Sequence, residues 1–198
     1  MPKFFWAIFT AFAISLAAPA ASHAADSKAA AYCLKKGGVV QKRIPEYGTN
    51  GGNPLVLSGH ADFCQFTSEK DGSHISLLLS TMFTKKPTLA ALAYYAEVEY
   101  NGDCNGSPGS CYCTQIGGTD LFGGINAAGG GWVLDTDSED VLDSCIFPDL
   151  SSIDTYGLFY HSADIVRGKN LAKVLRYDNP YNAARDNAHV TSQPPFTK

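Results

Sequence analysis

Short hydrophobic segments separated by turn residues dominate the first half of the chain after its opening helix. The segments are rich in Val, Ile, Leu and Phe, and Gly, Pro, Asn and Asp stand between them, which is typical of short antiparallel strands. The predicted strands are 39–44, 55–57, 63–67 and 73–83. A helix before them can be capped by Asp26 and ended by Gly37, and the Ala- and Leu-rich segment 89–100 predicts a helix after them.

The second half repeats this order of elements. Its predicted strands are 132–135, 144–147 and 156–161, and its predicted closing helix is 170–177. A turn-rich segment, 101–109, separates the two halves. The pattern therefore predicts an α+β fold made of two modules, each with a helix, short antiparallel strands and a closing helix.

A Tyr-Cys-x-x-x-Gly-Gly motif in both halves is the clearest sign of an internal repeat. Its copies begin at Tyr32 and Tyr112. A Cys-x-Phe motif at Cys64 returns at Cys145, and the Leu-Ala pair that starts at Leu89 returns near the start of the second closing helix. The three matches keep the same order and nearly the same offset, which predicts a duplication. A chance coincidence of two cysteine-containing α+β segments remains the alternative.

The segment 1–24 has the features of a signal peptide. Lys3 precedes an uncharged stretch, 4–18, and a small-x-small sequence ends at Ala24. A membrane anchor is disfavoured because a bilayer needs about 20 apolar residues. We therefore expect cleavage after Ala24, no transmembrane segment in the mature chain, and a secreted or periplasmic location.

These signals together predict the organisation of the whole chain. The predicted units are a signal peptide (1–24), a first α+β module (25–100), a disulfide-closed linker (101–111), a second α+β module (112–177) and an extended C-terminal tail (178–198).

Composition narrows the class of protein. Of 198 residues, 45% are hydrophobic and 17% are charged, which is a globular composition. The chain has 15 Lys and Arg against 19 Asp and Glu, a net charge of −4. It therefore lacks the excess of basic residues that nucleic-acid or polyanion binding normally uses, and nucleic acid is not an expected partner.

All six cysteines follow the predicted signal peptide, and an even number in an oxidising compartment predicts disulfides. The repeat selects one pairing, since each ancestral module would pair its own two cysteines and the two without counterparts would close the linker. The predicted pairs are Cys33–Cys64, Cys113–Cys145 and Cys104–Cys111. A metal site at the three closely spaced cysteines of 104–113, or a redox pair at 111 and 113, are the alternatives.

An acidic stretch, 135–140, is the candidate cation site. Asp135, Asp137 and Glu139 offer alternating oxygen ligands for calcium, although the glycine of an EF-hand loop is absent. The alternative is that Asp137 or Ser138 caps a short helix. Calcium is the one cofactor that the sequence suggests.

Two histidines lie close in sequence to a carboxylate. His60 precedes Asp62, and His161 precedes Asp164, a combination that can orient a general base in a hydrolase. The nucleophile-elbow, zinc-protease and phosphate-loop motifs do not occur in the sequence. The aromatic residues of the second half are expected to fill the core, with a ligand-binding platform as the alternative; they are Trp132, Phe147, Tyr156, Phe159 and Tyr160.

The motifs around the first-half cysteines resemble a small family of bacterial secreted domains of unknown function that carries a haemolysin label. The resemblance is carried by 32–38 (Tyr-Cys-Leu-Lys-Lys-Gly-Gly), 64–66 (Cys-Gln-Phe) and 71–73 (Asp-Gly-Ser), and it extends less closely to 112–149. It implies a bacterial envelope or secreted module without established catalytic residues.

The sequence thus favours a non-enzymatic secreted or periplasmic protein that binds a protein or a small ligand. A ligand pocket is expected at the interface of the two modules, because pockets favour such junctions. A secreted hydrolase that uses a His/Asp pair and a calcium-stabilised adhesion module are the alternatives.

Overall fold

The computed structural model describes residues 24–102, 104–120 and 128–180. The first half contains α1 (Ala24–Lys35), β1 (Val39–Tyr47), β2 (Leu55–Val56), β3 (Ala61–Thr67), β4 (His74–Leu78), α2 (Leu79–Phe83) and α3 (Leu89–Ala96). The second half contains α4 (Pro108–Gln115), β5 (Gly130–Leu134), β6 (Asp137–Leu142), β7 (Ser144–Ile146), β8 (Ser152–Asp154), α5 (Thr155–His161) and a 3-10 turn at Leu171–Lys173. The predicted signal peptide up to residue 23 and the tail from residue 181 lie outside the described residues.

One antiparallel sheet runs through both halves of the chain. Its strand order is β6-β5-β1-β3-β4-β8-β7, and β2 pairs with the far end of β1. The halves meet where Leu77 of β4 pairs with Ile153 of β8. The predicted α+β class is therefore confirmed, although the sheet is shared by the two halves.

The main core lies between the helices and the central strands. Tyr94 of α3, Met82 of α2 and Leu158 of α5 are buried against Leu77 and Ile153, the two residues that join the halves. Burial of apolar side chains from both halves in one cluster ties them into a single packed body.

The helix-to-strand corners after the two Tyr-Cys motifs have the same local geometry. Gly38 N–H donates to the carbonyl of Cys33 at 3.0 Å, and Gly118 N–H donates to the carbonyl of Cys113 at 2.9 Å. The preceding glycine has a φ of +84° at the first corner and +87° at the second, a left-handed conformation that glycine adopts without strain.

The six cysteines form three pairs, as the repeat predicts. Their Cα atoms are 5.8 Å apart in Cys33–Cys64, 5.7 Å in Cys104–Cys111 and 5.5 Å in Cys113–Cys145. These separations are typical of disulfides. The alternative metal site and redox pair are wrong, because no cysteine is left free.

Two predicted strands contain helices instead. The segment 73–83 is a strand only as far as Leu78, and α2 follows at once. The segment 156–161 belongs to α5, because the Asp154 side chain accepts a hydrogen bond from Gly157 N–H and caps a helix. Aromatic and branched residues in both segments favour strands locally, but tertiary packing and a cap decide the outcome.

The closing helices are also shorter than predicted. The first, α3, ends at Ala96 because Glu97 is left-handed, with a φ of 48°. The second is reduced to the 3-10 turn at Leu171–Lys173. The predicted linker is partly helical, since α4 begins at Pro108, a residue suited to the first turn of a helix.

A buried cation lies in β1, next to β5 in the sheet. Arg43 is completely buried and donates two hydrogen bonds to Gln41 Oε1, at 2.7 and 3.1 Å. It also donates to the carbonyl of Trp132 at 2.9 Å and pairs with Asp140 Oδ1 at 3.0 Å. A buried charge is tolerated when it is paired and hydrogen-bonded in this way.

We predict that Gly38→Ala destabilises the protein strongly. The added Cβ would overlap Cys64 Sγ and lie 2.9 Å from Cys33 Sγ, so the disulfide or the corner must move. Gly52 has open space around it, and Gly52→Ala is the matched control. Thermal unfolding should show a loss of about 2 kcal/mol or more for Gly38→Ala, as for an overpacked core, and little change for the control. Equal melting temperatures of the two variants would contradict this account.

We also predict unequal contributions from the disulfides. Replacement of Cys33 and Cys64 by alanine opens a loop that spans 31 residues and leaves a gap at two fully buried positions, whereas the Cys104–Cys111 loop spans 7 residues and is partly exposed. The loop-entropy difference alone is about 1 kcal/mol. Urea unfolding of the two double variants should show the larger loss for Cys33 and Cys64, and the reverse order would refute the prediction.

Candidate functional site

A cleft of about 310 Å³ lies where the two halves of the chain meet. We call it the junction cleft. One wall is the turn between β3 and β4, and the other is the end of α5 with the loop after it. Its lining residues are Asp71, Ser73, Tyr160, Ile165, Val166 and Arg167. The cleft therefore combines a carboxylate, hydroxyls, a guanidinium, an aromatic ring and two aliphatic side chains.

The first wall is a turn held by its own polar side chains. Asp71 Oδ1 accepts from Ser73 N–H at 3.0 Å and from Ser73 Oγ at 2.8 Å. Gly72 has a φ of +71°, and its N–H donates to the carbonyl of Ser68. Hydrogen bonds from the hydroxyls of Ser73 and Ser68 lower the pKa of Asp71 from its usual value. The carboxylate is therefore negative at neutral pH.

Gly168 connects the second wall of the junction cleft to the first. Its N–H donates to Ser73 Oγ at 3.1 Å. A side chain at this position would overlap the carbonyl oxygen of Phe66, and the φ of +59° is left-handed, so both contact and conformation require glycine. The loop that carries Ile165 to Arg167 is thus fastened to the β3–β4 hairpin.

Arg167 supplies the positive charge of the cleft. Its guanidinium carbon lies 5.2 Å from the centroid of the Tyr160 ring, a cation–π contact that orients the group. Within the described ranges, no carboxylate lies within ion-pair distance of this guanidinium. Its charge still reaches the buried Asp154, where it opposes the rise in pKa that burial causes. The donors of Arg167 are therefore available to a ligand, and Asp71 faces the same space.

The proposed calcium ligands lie elsewhere, on the β5–β6 hairpin. Asp135 is in the turn, and Asp137 and Glu139 are exposed residues of β6. The alternative that this stretch caps a helix is wrong, since the segment is a strand at the edge of the sheet. In the part of the chain that the structure describes, no three His, Cys, Asp or Glu side chains form a group that could hold a metal ion. The calcium hypothesis stays a prediction.

His161 is not arranged as the His/Asp pattern predicts. It is buried at the end of α5, and its ring stacks on Tyr94 with centroids 3.7 Å apart. Its Nε2 lies 3.3 Å from an oxygen of Glu97, so the nearest carboxylate comes from the C-cap of α3 and not from Asp164. Burial lowers the pKa of His161. The other candidate, His60, is exposed just before β3.

The half-buried side chain of Asp143, just before β7, has a shifted pKa. Burial raises the pKa of Asp143 to about 6, and the nearby negative charges of Asp120 and Asp154 add to the rise. Asp154 itself is completely surrounded by protein, and burial raises its pKa too. The negative charges of Asp120 and Asp154 thus act on Asp143 beside the seam between the halves.

The sequence predicted the position of the candidate cleft better than the residues that line it. A pocket between the halves is expected from the repeat, and the cleft takes lining residues from both. Asp71 and Ser73 stand out in the sequence as an Asp-Gly-Ser turn, and Tyr160 as one of several aromatic residues. Nothing in the sequence marks Arg167, because it lies far from Asp71 along the chain and outside any motif.

Comparison of the chain with protein-family models, with curated proteins and with solved structures gives no match. The three disulfides fit an oxidising or extracellular compartment. Within the described ranges, no helix has the length and apolar character needed to cross a bilayer.

We predict that Asp143→Asn stabilises the protein at neutral pH and changes its pH dependence. The folded-state pKa is about 6 against an ordinary 3.8, so between these values the folded state keeps a proton that the unfolded chain has lost. Stability therefore falls as the pH rises through this window. Because the group is partly solvated, the gain from the asparagine at pH 7 is about 1 to 2 kcal/mol.

Urea unfolding at pH 4 and pH 7 measures this effect. Asp143→Asn should gain stability over the unchanged protein at pH 7 more than at pH 4. Asp137→Asn, which removes an exposed carboxylate, is the control and should show no such difference. An equal gain for Asp143→Asn at both pH values would argue against the raised pKa.

Proposed function

We propose that the chain is a non-enzymatic secreted or periplasmic binding protein whose junction cleft takes a small zwitterionic ligand with an apolar part, such as an amino acid or a short peptide. The observation that carries the proposal is the pair of opposite charges, Asp71 and Arg167, in one cleft without an ion pair between them. A ligand with an ammonium and a carboxylate complements both groups.

The apolar residues of the cleft support this class of ligand. Ile165 is 50% exposed and Val166 is 43% exposed, although both are large and hydrophobic. With the Tyr160 ring they offer a surface for an aliphatic side chain, whose burial would add to the charge contacts. A volume of about 310 Å³ is at the small end of ligand pockets, which suits an amino acid or a short peptide.

The proposal includes a secreted or periplasmic location and a relation to the secreted bacterial domains that the sequence resembles. The sequence of residues 1–24 and the three disulfides support export to an oxidising compartment. The resemblance to secreted bacterial domains with a haemolysin label supports an envelope or secreted role. Mass determination of the exported protein would test cleavage after Ala24.

We also infer that the chain consists of two modules that descend from one unit. The matched corners support this, as do the pairings next to them: Val39 pairs with Gln65, and Thr119 pairs with Ile146 one residue after the second-half cysteine. In this view Leu77 and Ile153, which pair with each other, are equivalent positions. The pocket then lies between two copies of one ancestral structure.

Calorimetric titration with the tripeptide Ala-Leu-Ala, with free termini, tests the proposed ligand class. The unchanged protein should bind it, and Arg167→Gln and Asp71→Asn should each weaken binding about tenfold or more by removing one charge contact. Asparagine at position 71 keeps an oxygen that can hold the turn. Lys42→Gln and Asp137→Asn remove one charge each from other surfaces and should bind normally.

The same peptide with acetylated and amidated termini is the ligand control. It should bind much more weakly, because it lacks both charges. Equal binding of the capped and free peptides, or equal binding by all four variants, would overturn the proposed role of the cleft.

A further inference from the structure

Four basic residues gather where the end of α1 meets the segment after the loop of the junction cleft. They are Lys36, Lys169, Lys173 and Arg176, and we call them the basic surface. Lys36 Nζ donates to the carbonyl of Lys173 at 3.2 Å, and Lys169 Nζ donates to the carbonyl of Lys36. The group therefore brings together residues from two distant segments of the chain.

Two aromatic rings lie beneath these cations. Tyr32 and Phe83 contact each other, with centroids 5.5 Å apart. Lys36 Nζ lies 5.4 Å from the Tyr32 centroid, and the guanidinium carbon of Arg176 lies 5.9 Å from it and 4.1 Å from that of Phe83. The ring faces hold two cations close together, which partly offsets their repulsion.

Backbone carbonyls fix three of the four positive groups in place, those of Lys36, Lys169 and Arg176. Arg176 donates from Nη1 to the carbonyl of Phe83 at 2.9 Å, and its N–H donates to the carbonyl of Met82 at 3.1 Å. A lysine ammonium has three donors and a guanidinium has five, so these contacts leave donors unused. Side chains that are already oriented lose less entropy when they bind a ligand.

The positive charges of the basic surface are not neutralised by nearby carboxylates. Of the residues described, no carboxylate lies within 4.0 Å of any of the four cations, and the two ion pairs seen involve Arg43 and His161. Asp178 is the acid nearest to Arg176 in sequence, and its negative charge contributes to the raised pKa of Tyr95. In a chain with a net charge of −4, this is a concentration of unneutralised positive charge.

We propose that the basic surface is a second binding site and that it takes an acidic polysaccharide. Several fixed cations side by side match the repeated anionic groups of such a polymer. Two lysines after α2, Lys85 and Lys86, extend the positive charge beyond Phe83. Because Tyr32 and Phe83 are half-buried beneath the cations, the surface presents charge and not an apolar wedge, which favours a soluble polyanion over insertion into a lipid surface.

Binding of heparin, a sulfated polysaccharide, tests the proposal on the full mature chain. The double variant Lys36→Gln with Lys173→Gln should weaken binding about tenfold and reduce the slope of log affinity against log salt by about two, as for two lost charge contacts. The matched control, Lys42→Gln with Lys70→Gln, removes two lysines elsewhere and should keep both the affinity and the slope.

Further measurements separate the remaining outcomes. Melting temperatures of the two double variants verify that both fold. Uncharged dextran should not bind.

No heparin binding by the unchanged protein, or an equal loss in both double variants, overturns the proposal. Binding to phosphatidylglycerol vesicles without binding to heparin overturns it in favour of a membrane surface. Tripeptide binding by the junction cleft should be unchanged in the basic-surface variant, so the two sites fail or succeed independently.

Discussion

The seam between β4 and β8 is the contact on which the rest of the molecule depends. The strands share one residue pair, so side chains complete the joint: Asp154 accepts from Ser76 N–H at 2.7 Å, and Thr81 Oγ1 accepts from Ser152 N–H at 2.9 Å. The same Asp154 caps α5 through its other oxygen. A single buried carboxylate therefore joins the halves of the sheet and orients the helix that carries Tyr160 into the cleft.

The parts of the fold that local chemistry decides could be predicted from the sequence. The helix ends at Gly37 and Gly117 follow from a motif of a few residues, and the three cysteine pairs follow from the internal repeat together with the even number of cysteines. The secondary structure of 73–83 and 156–161 could not be predicted, because the apolar and aromatic residues of these segments suit strands and buried helices alike. Asp154 caps the helix that contains 156–161, and the side chain of Asp154 is held by Ser76 of a strand that lies 78 residues away in sequence.

The candidate sites are hidden from the sequence for a different reason. Asp71 and Arg167 share a cleft only because Gly168 approaches the β3–β4 hairpin closely enough to bind Ser73, and spacing along the chain carries no trace of that approach. The net charge of the chain is equally uninformative about the basic surface. An average over 198 residues gives −4, whereas the fold collects cations from two distant segments on one face. Total charge therefore argues against polyanion binding, and the local arrangement argues for it.

The buried guanidinium of Arg43 has a consequence for the order of folding. Its acceptors on Trp132 and Asp140 lie 89 and 97 residues further along the chain, and β1 lies between β3 and β5 in the sheet. A partly synthesised chain can pair β1 with β3, but it leaves this cation without its acceptors on Trp132 and Asp140 and leaves β1 with an open edge. Productive folding must therefore wait until most of the polypeptide is available, a kinetic bottleneck set by long-range contacts.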